Sequence, residues 1–111
     1  MSDCIFCKIV AGEIPADTVY EDDRVIVFRD INPKAAVHLL VIPREHIASL
    51  DDLDAGHDAL MAHMLRLLPR LAAEQGLDQG YRTIINTGKG GGQEVFHLHI
   101  HLLGGSGLPG F

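Results

Sequence analysis

The spacing of apolar and polar positions changes several times along the chain, and each change marks an element. Thr18-Val19-Tyr20-Glu21 and Arg24-Val25-Ile26-Val27-Phe28-Arg29 are β-rich runs parted by Asp22-Asp23, the pattern of a hairpin. Asp30-Ile31-Asn32-Pro33 breaks the second run, because proline has no backbone N–H to give a ladder. His38-Leu39-Leu40-Val41-Ile42 is nearly all apolar and stops at Pro43, which predicts a central strand covered on both faces. The period then lengthens. Leu60, Met61, Met64, Leu65, Leu68, Leu71 and Ala72 recur at helical spacing, predicting one helix over 54–75 with Asp54 as N-cap and Gly76 at its end. Pro69 falls inside that pattern and is expected to kink the helix or end it early. Tyr81-Arg82-Thr83-Ile84-Ile85-Asn86 predicts a fourth strand and 95–103 a fifth, with a glycine-rich loop, 87–93, between them. Residues 4–10 read as one helical turn before Ala11-Gly12, and the glycine-rich tail 104–111 reads as irregular. The outline is α+β: an antiparallel sheet of about five strands with one long helix packed on it.

Composition narrows this picture. A chain of 111 residues, 47% of them apolar, furnishes one core and predicts a single domain over 1–111. Nine basic against fifteen acidic residues give a formal charge of −6, so no basic footprint for nucleic acid is present. An anionic substrate must therefore be held by local donors rather than a long-range field. No apolar run reaches the roughly 20 residues of a membrane span. MSDCIFCKIV has neither a basic n-region nor a long apolar h-region, so a cytoplasmic protein with Cys4 and Cys7 reduced is expected.

The candidate chemistry lies in FHLHIHLLGG, where His97, His99 and His101 occupy alternate positions. On a strand they share one face, with Leu98, Ile100 and Leu102 on the other. Three readings compete. As a site for a single metal the arrangement is badly shaped, since neighbours stand roughly 6.6 Å apart at the backbone and the outer pair roughly 13 Å. As a plain solvated face it makes an unusual choice of side chain. As a catalytic ladder it is coherent: an imidazole with one nitrogen held as a donor presents the other as a nucleophile at neutral pH. Attack on phosphorus also needs donors around the charged oxygens, and the amides of Thr87-Gly88-Lys89-Gly90-Gly91-Gly92-Gln93 are candidates to supply them.

His97-Leu98-His99-Ile100-His101-Leu102-Leu103 resembles the His-φ-His-φ-His-φ-φ motif of the histidine-triad (HIT) superfamily. The likeness runs along nearly the whole chain. Ile5-Phe6 with Lys8-Ile9, Glu13-Ile14-Pro15, Phe28-Arg29-Asp30-Ile31-Asn32-Pro33, His38-Leu39-Leu40-Val41-Ile42-Pro43, Asn86, Gly91-Gly92-Gln93 and Leu103-Gly104-Gly105 are similar to the Hint branch. The resemblance implies a HIT-like fold, a five-stranded antiparallel sheet with one long helix, dimerising into a continuous ten-stranded sheet. It implies hydrolysis of purine nucleoside phosphoramidates such as adenosine 5′-monophosphoramidate, through a nucleotidyl-histidine. His99 would be the nucleophile, with His101 and His38 orienting and balancing charge. Asp30 would accept the ribose hydroxyls, Phe28 and Ile31 would wall the base, and Asn86, Gln93, Gly92 and Val95 would meet phosphate. Two alternatives stay open: a dinucleoside polyphosphate hydrolase of the Fhit type, and a non-catalytic nucleotide sensor or scaffold. Glu94 and Ser106 depart from relatives that carry serine and arginine there, and Glu94 is assigned no catalytic role.

Cys4-Ile5-Phe6-Cys7 has the spacing of half a zinc site, which needs two further ligands. Resemblance to HIT proteins with this N-terminal pair implies a Cys2His2 zinc completed by His46 and His97. That would divide labour along one strand, His97 to metal and His99 and His101 to chemistry, with no metal required for the reaction itself. His57 and His63, on the predicted helix, are assigned to surface or packing.

Overall fold

The computed structural model describes residues 3–110. A short helix α1 (Ile5–Val10) precedes β1 (Thr18–Glu21), β2 (Val25–Arg29) and β3 (Val37–Pro43). The long helix α2 (Asp58–Glu74) follows, then β4 (Tyr81–Ile84) and β5 (Ile100–Gly104). The strands form one sheet in the order β1-β2-β3-β5-β4, and every neighbouring pair is antiparallel. The expected α+β architecture of five strands and one long helix is therefore present. None of the helices among the described residues is long and apolar enough to cross a membrane.

Both faces of the sheet are covered, as the unbroken apolar run of β3 requires. On one face Val25, Val27, Leu39, Val41, Ile100 and Leu102 meet Met64, Leu67, Leu68 and Leu71 of α2 in one core. On the other, Ile26, Phe28, Leu40 and Ile42 form a second core closed by Phe6 of α1. Two-residue alternation thus divides the apolar residues of β2 and β3 between the two cores.

Four local details differ from the sequence reading. The hairpin turns on Asp23-Arg24, one residue later than expected. The Asp22 N–H donates to the Val25 carbonyl (3.0 Å), and the Asp22 carboxylate accepts from the N–H groups of Arg24 and Val25. The helical stretch opens with a 3₁₀ turn, Ala55–His57, capped by Asp54, before α2 proper starts. Of the two outcomes expected at Pro69, early termination does not occur, and the helix runs on to Glu74. The carbonyl that loses its partner belongs to Leu65, an exposed residue on the solvent side of the helix. Helix termination is as expected, with Gly76 at φ 74°.

The fourth difference concerns the triad. The fifth strand starts at Ile100 rather than at residue 95. Pro43, which would come opposite this stretch, has no N–H to extend the ladder. The Leu98 N–H instead donates to the Ile47 carbonyl at 2.6 Å. Only His101 of the three histidines lies in a hydrogen-bonded strand, and His97 and His99 sit on the bent segment leading into it.

Candidate active site

A cleft of about 490 Å³ opens on the second face of the sheet. His99 and His101 line it together with Phe28, Asp30, Ile31, Asn86, Gly92 and Val95 of the expected site. Two residues expected in the site, His38 and Gln93, lie outside its wall, and His97 stands where the metal reading put it. His97 is fully buried and turns toward the N-terminal cysteines. His38 is buried behind His101. Gln93 is buried too, and its side chain braces the glycine loop. Its Nε2 donates to the Ala48 and Val95 carbonyls, and its Oε1 accepts from the Gly88 N–H.

The loop 87–93 also corrects the expectation of a row of unengaged amides. It folds into a 3₁₀ turn, Lys89–Gly91, in which the N–H groups of Gly91, Gly92 and Gln93 donate to carbonyls of Gly88 and Lys89. Gly92 reaches the cleft through a left-handed conformation, φ 91°, that a side chain would strain. A flexible loop in the sequence is a braced one in the fold.

Hydrogen bonds fix which nitrogen of each ring carries the proton. The Lys34 N–H donates to His38 Nδ1 at 3.1 Å, so in the neutral ring the proton must sit on Nε2. His38 Nε2 is 2.9 Å from His101 Nδ1 and donates to it, with the Asp30 carboxylate 3.5 Å from the same Nε2. His101 Nδ1 is then an acceptor, and its own proton is left on Nε2. His99 has the opposite tautomer: Nδ1–H donates to the His97 carbonyl at 2.7 Å, leaving Nε2 with a lone pair. The rings of His99 and His101 stand 5.0 Å apart at their centroids. The cleft thus holds one imidazole base and one imidazole donor side by side.

The surroundings favour the neutral form of His38 and His101. Burial pulls His38 below the ordinary imidazole range, with Asp30 opposing that pull. His101 is pulled down to about 4, first by burial and then by the neighbouring His99 and His38. Phe6 sets its ring edge-on against His99, His97 and Phe28 at 5.1, 5.9 and 5.6 Å.

Among the described residues, two groups of side chains bring metal-type donors together: Cys4, Cys7, His46 and His97, and Asp30, His38 and His101, each with all its donor atoms within 4.8 Å of one another. Their tautomers separate them. His97 Nε2–H donates to the Pro43 carbonyl at 2.8 Å, which leaves Nδ1 facing the two thiols, as in a ligating histidine whose other ring N–H is held by a carbonyl. His97 Nδ1 lies 3.4 Å from Cys4 Sγ, 3.5 Å from Cys7 Sγ and 3.3 Å from His46 Nδ1, and Cys7 Sγ lies 3.1 Å from His46 Nδ1. Zinc bond lengths give tetrahedral edges of about 3.3 Å between nitrogens and about 3.6 Å between nitrogen and sulfur. These four residues could hold a metal. In the second group the Lys34 N–H occupies His38 Nδ1 and keeps the proton on the nitrogen a metal would need, so its chemistry is that of a hydrogen-bond relay.

Residues to which the sequence assigned no role complete the site. The Lys34 amide and the Pro43 carbonyl set tautomers, and Phe6, Ile5 and Ile9 of α1 form one side of the cleft. Backbone contacts of this kind leave no mark on residue type. Glu94, set aside from catalysis, also lines the cleft. His63 and His57 are held in packing contacts, His63 on Asp22 at 2.6 Å and His57 on Glu45 at 3.3 Å.

Comparison with known proteins agrees with this geometry. A family model described as scavenger mRNA decapping enzyme C-terminal binding matches residues 3–108. A HIT-like protein of Synechococcus elongatus is 58% identical over 106 residues, covering 96% of this chain and 93% of that protein. The purine nucleoside phosphoramidase of Escherichia coli is 47% identical over 105 residues, covering 94% of this chain and 88% of the enzyme. Among solved structures, a HIT family hydrolase from Legionella pneumophila superposes with a TM-score of 0.91 at 50% identity, covering 94% of both chains. A histidine triad protein from Clostridium difficile superposes with a TM-score of 0.93 at 49% identity, covering 100% of this chain and 97% of the other. With its alternating histidines, sheet and relatives in agreement, the chain belongs to the histidine-triad superfamily.

Proposed function

We propose that this chain is a purine nucleoside phosphoramidase, a hydrolase that splits the P–N bond of substrates resembling adenosine 5′-monophosphoramidate. The observation that carries the reading is the opposed pair of tautomers in one cleft, a free imidazole lone pair on His99 beside an N–H on His101. His99 Nε2 attacks phosphorus, and the P–N bond breaks with its electron pair going to the nitrogen, which takes up a proton from solvent. The water that later attacks phosphorus returns one proton to solvent, so the cycle balances. Positive charge on the phosphorylated ring is held by the Nδ1–H bond to the His97 carbonyl. Water then attacks the same phosphorus, releasing the nucleoside monophosphate and restoring His99. His101 Nε2–H stabilises charge on phosphoryl oxygen, and His38 and Asp30 keep that donor oriented.

For the nucleoside, Phe28 and Ile31 are the apolar walls and Asp30 the ribose acceptor. Asn86, Gly92 and Val95 lie on the phosphate side, and Gln93 acts by holding their loop. A structural zinc on Cys4, Cys7, His46 and His97 fits the donor distances, and when bound it would tie the N-terminal segment to the sheet. The 47% identity to an enzyme named for this activity supports the same reaction. The enzyme is further proposed to be cytoplasmic and to work as a homodimer whose sheets join edge to edge.

Mass spectrometry of protein quenched during turnover of adenosine phosphoramidate tests the mechanism. A nucleotidyl adduct on His99 is expected. His99→Ala is expected to lower kcat at least about a thousandfold, the scale of losing a nucleophile, while AMP still binds. Undiminished cleavage by that variant would rule out the assignment, and AMP binding without cleavage by the native protein would favour a nucleotide sensor.

A further inference from the structure

α1 has six residues, too few to hold a helix by itself in water. Its N-cap is Cys4 and its third residue is Cys7, two of the four metal-type donors. Between those cysteines lie Ile5 and Phe6, and Ile9 follows within the helix. All three line the cleft. A second connection runs from the same donors: His97 offers its ring Nδ1 to the thiols, and its carbonyl accepts the Nδ1–H of His99. Phe6 joins the two routes, with its ring against both histidines and against Phe28.

We propose that the four-donor site is a clamp on the substrate cleft, so that metal occupancy sets substrate affinity and the seating of the nucleophile as well as stability. With a metal bound, Cys4 and Cys7 fix α1 and hold Ile5, Phe6 and Ile9 as a wall. Without it α1 is free to detach, and the wall and the Phe6 contact to His99 detach with it. The sheet and α2 keep their own core, since Phe6 closes only the second one. The nucleotide part of this inference rests on the function proposed above. If the wall is formed in roughly a tenth of metal-free molecules, apparent affinity falls about tenfold.

The test compares zinc-loaded protein, protein stripped by a chelator and protein reloaded with zinc. AMP affinity is measured by calorimetry, α1 amide exchange by hydrogen–deuterium exchange, and the His99 Nδ1–H by NMR. The expected result is an AMP affinity about tenfold weaker after stripping, with faster exchange in α1, a shifted His99 signal, unchanged exchange in β3 and β5, and full recovery with zinc. Phe6→Leu retains all four donors and guards against collapse of the stripped protein. It is expected to bind one zinc and still lose AMP affinity. Equal AMP affinity with and without zinc, equal α1 exchange, or native affinity in zinc-loaded Phe6→Leu would each overturn the clamp. A metal-dependent α1 and His99 signal with no AMP binding in any form would support the clamp and overturn the nucleotide reading instead.

Discussion

The Lys34 N–H reaches His38 Nδ1 at 3.1 Å, and this contact propagates through two rings to the cleft. Replacing His38 by alanine removes the only side chain that fixes His101 Nδ1 as an acceptor among the described residues. We expect kcat to fall about 10–100-fold with KM nearly unchanged, the mark of an orienting group, and steady-state kinetics read the split. Titration at this site also has a definite sign. The folded pKa of His101, about 4, lies below its unfolded value, so the unfolded chain takes up the proton first as pH falls. Its contribution to stability is whole above about pH 6.5 and is lost as pH falls toward 4; buried His38 acts in the same direction. At Asp22 burial works upward, but hydrogen bonds from Tyr20, the Arg24 and Val25 amides and His63 outweigh it and hold the carboxyl well below its usual range. That contribution is present above about pH 4 and lost below it. Denaturant midpoints should therefore fall between pH 6.5 and 4 through the histidines and further below 4 through Asp22, with Asp22→Asn removing the second decline.

Among elements, α2 shows where residue preference yields to context. Proline deletes one helical N–H, yet Pro69 and Leu65 are both exposed, so the loss falls on the solvent side, where it costs least, and the helix persists to Glu74. Pro69→Ala should stabilise the fold by about 1–2 kcal/mol, since the lost bond returns and only part is offset by the looser unfolded chain. Urea unfolding at pH 7 measures this, and an unchanged midpoint would mean that the helix already relieves its proline. The fifth strand shows the converse. Its alternation read as an extended strand from residue 95, but a ladder needs a partner N–H, and Pro43 has none. Alternation still did its work: Ile100 and Leu102 entered one core while His99 and His101 faced the other side.

For the whole molecule, the strand order leaves β1 and β4 as edges. Edge strands carry unpaired backbone groups that invite another sheet. The proposed ten-stranded dimer should form through one of these edges, and analytical ultracentrifugation at micromolar concentration is expected to give twice the chain mass. Proline substitution at Thr83 or at Val19, tested separately, should dissociate it at the edge actually used. A monomer at every concentration would remove the dimer from the proposal. The two cores also differ in cover: the one under α2 is closed by seventeen residues of helix, and the one holding the cleft by the six residues of α1 with Ala16 and Val95. Function sits on the face with the thinner cover.

The sequence by itself determined the order and type of the elements, the two-faced character of the sheet and the family motif, because these depend on periodicity and residue type along the chain. It also brought out the four donors Cys4, Cys7, His46 and His97 through their spacing and resemblance. Only the tertiary structure decided which nitrogen of each ring is a donor, since the Lys34 amide and the His97 and Pro43 carbonyls that set this are backbone groups every residue possesses. It alone engaged the loop amides with neighbouring carbonyls, aimed the Gln93 side chain at the Gly88 amide and the Ala48 carbonyl, and laid Phe6 against His99. Such contacts join segments up to 93 residues apart, and a pattern read along the chain carries no information about where distant backbone atoms come to rest.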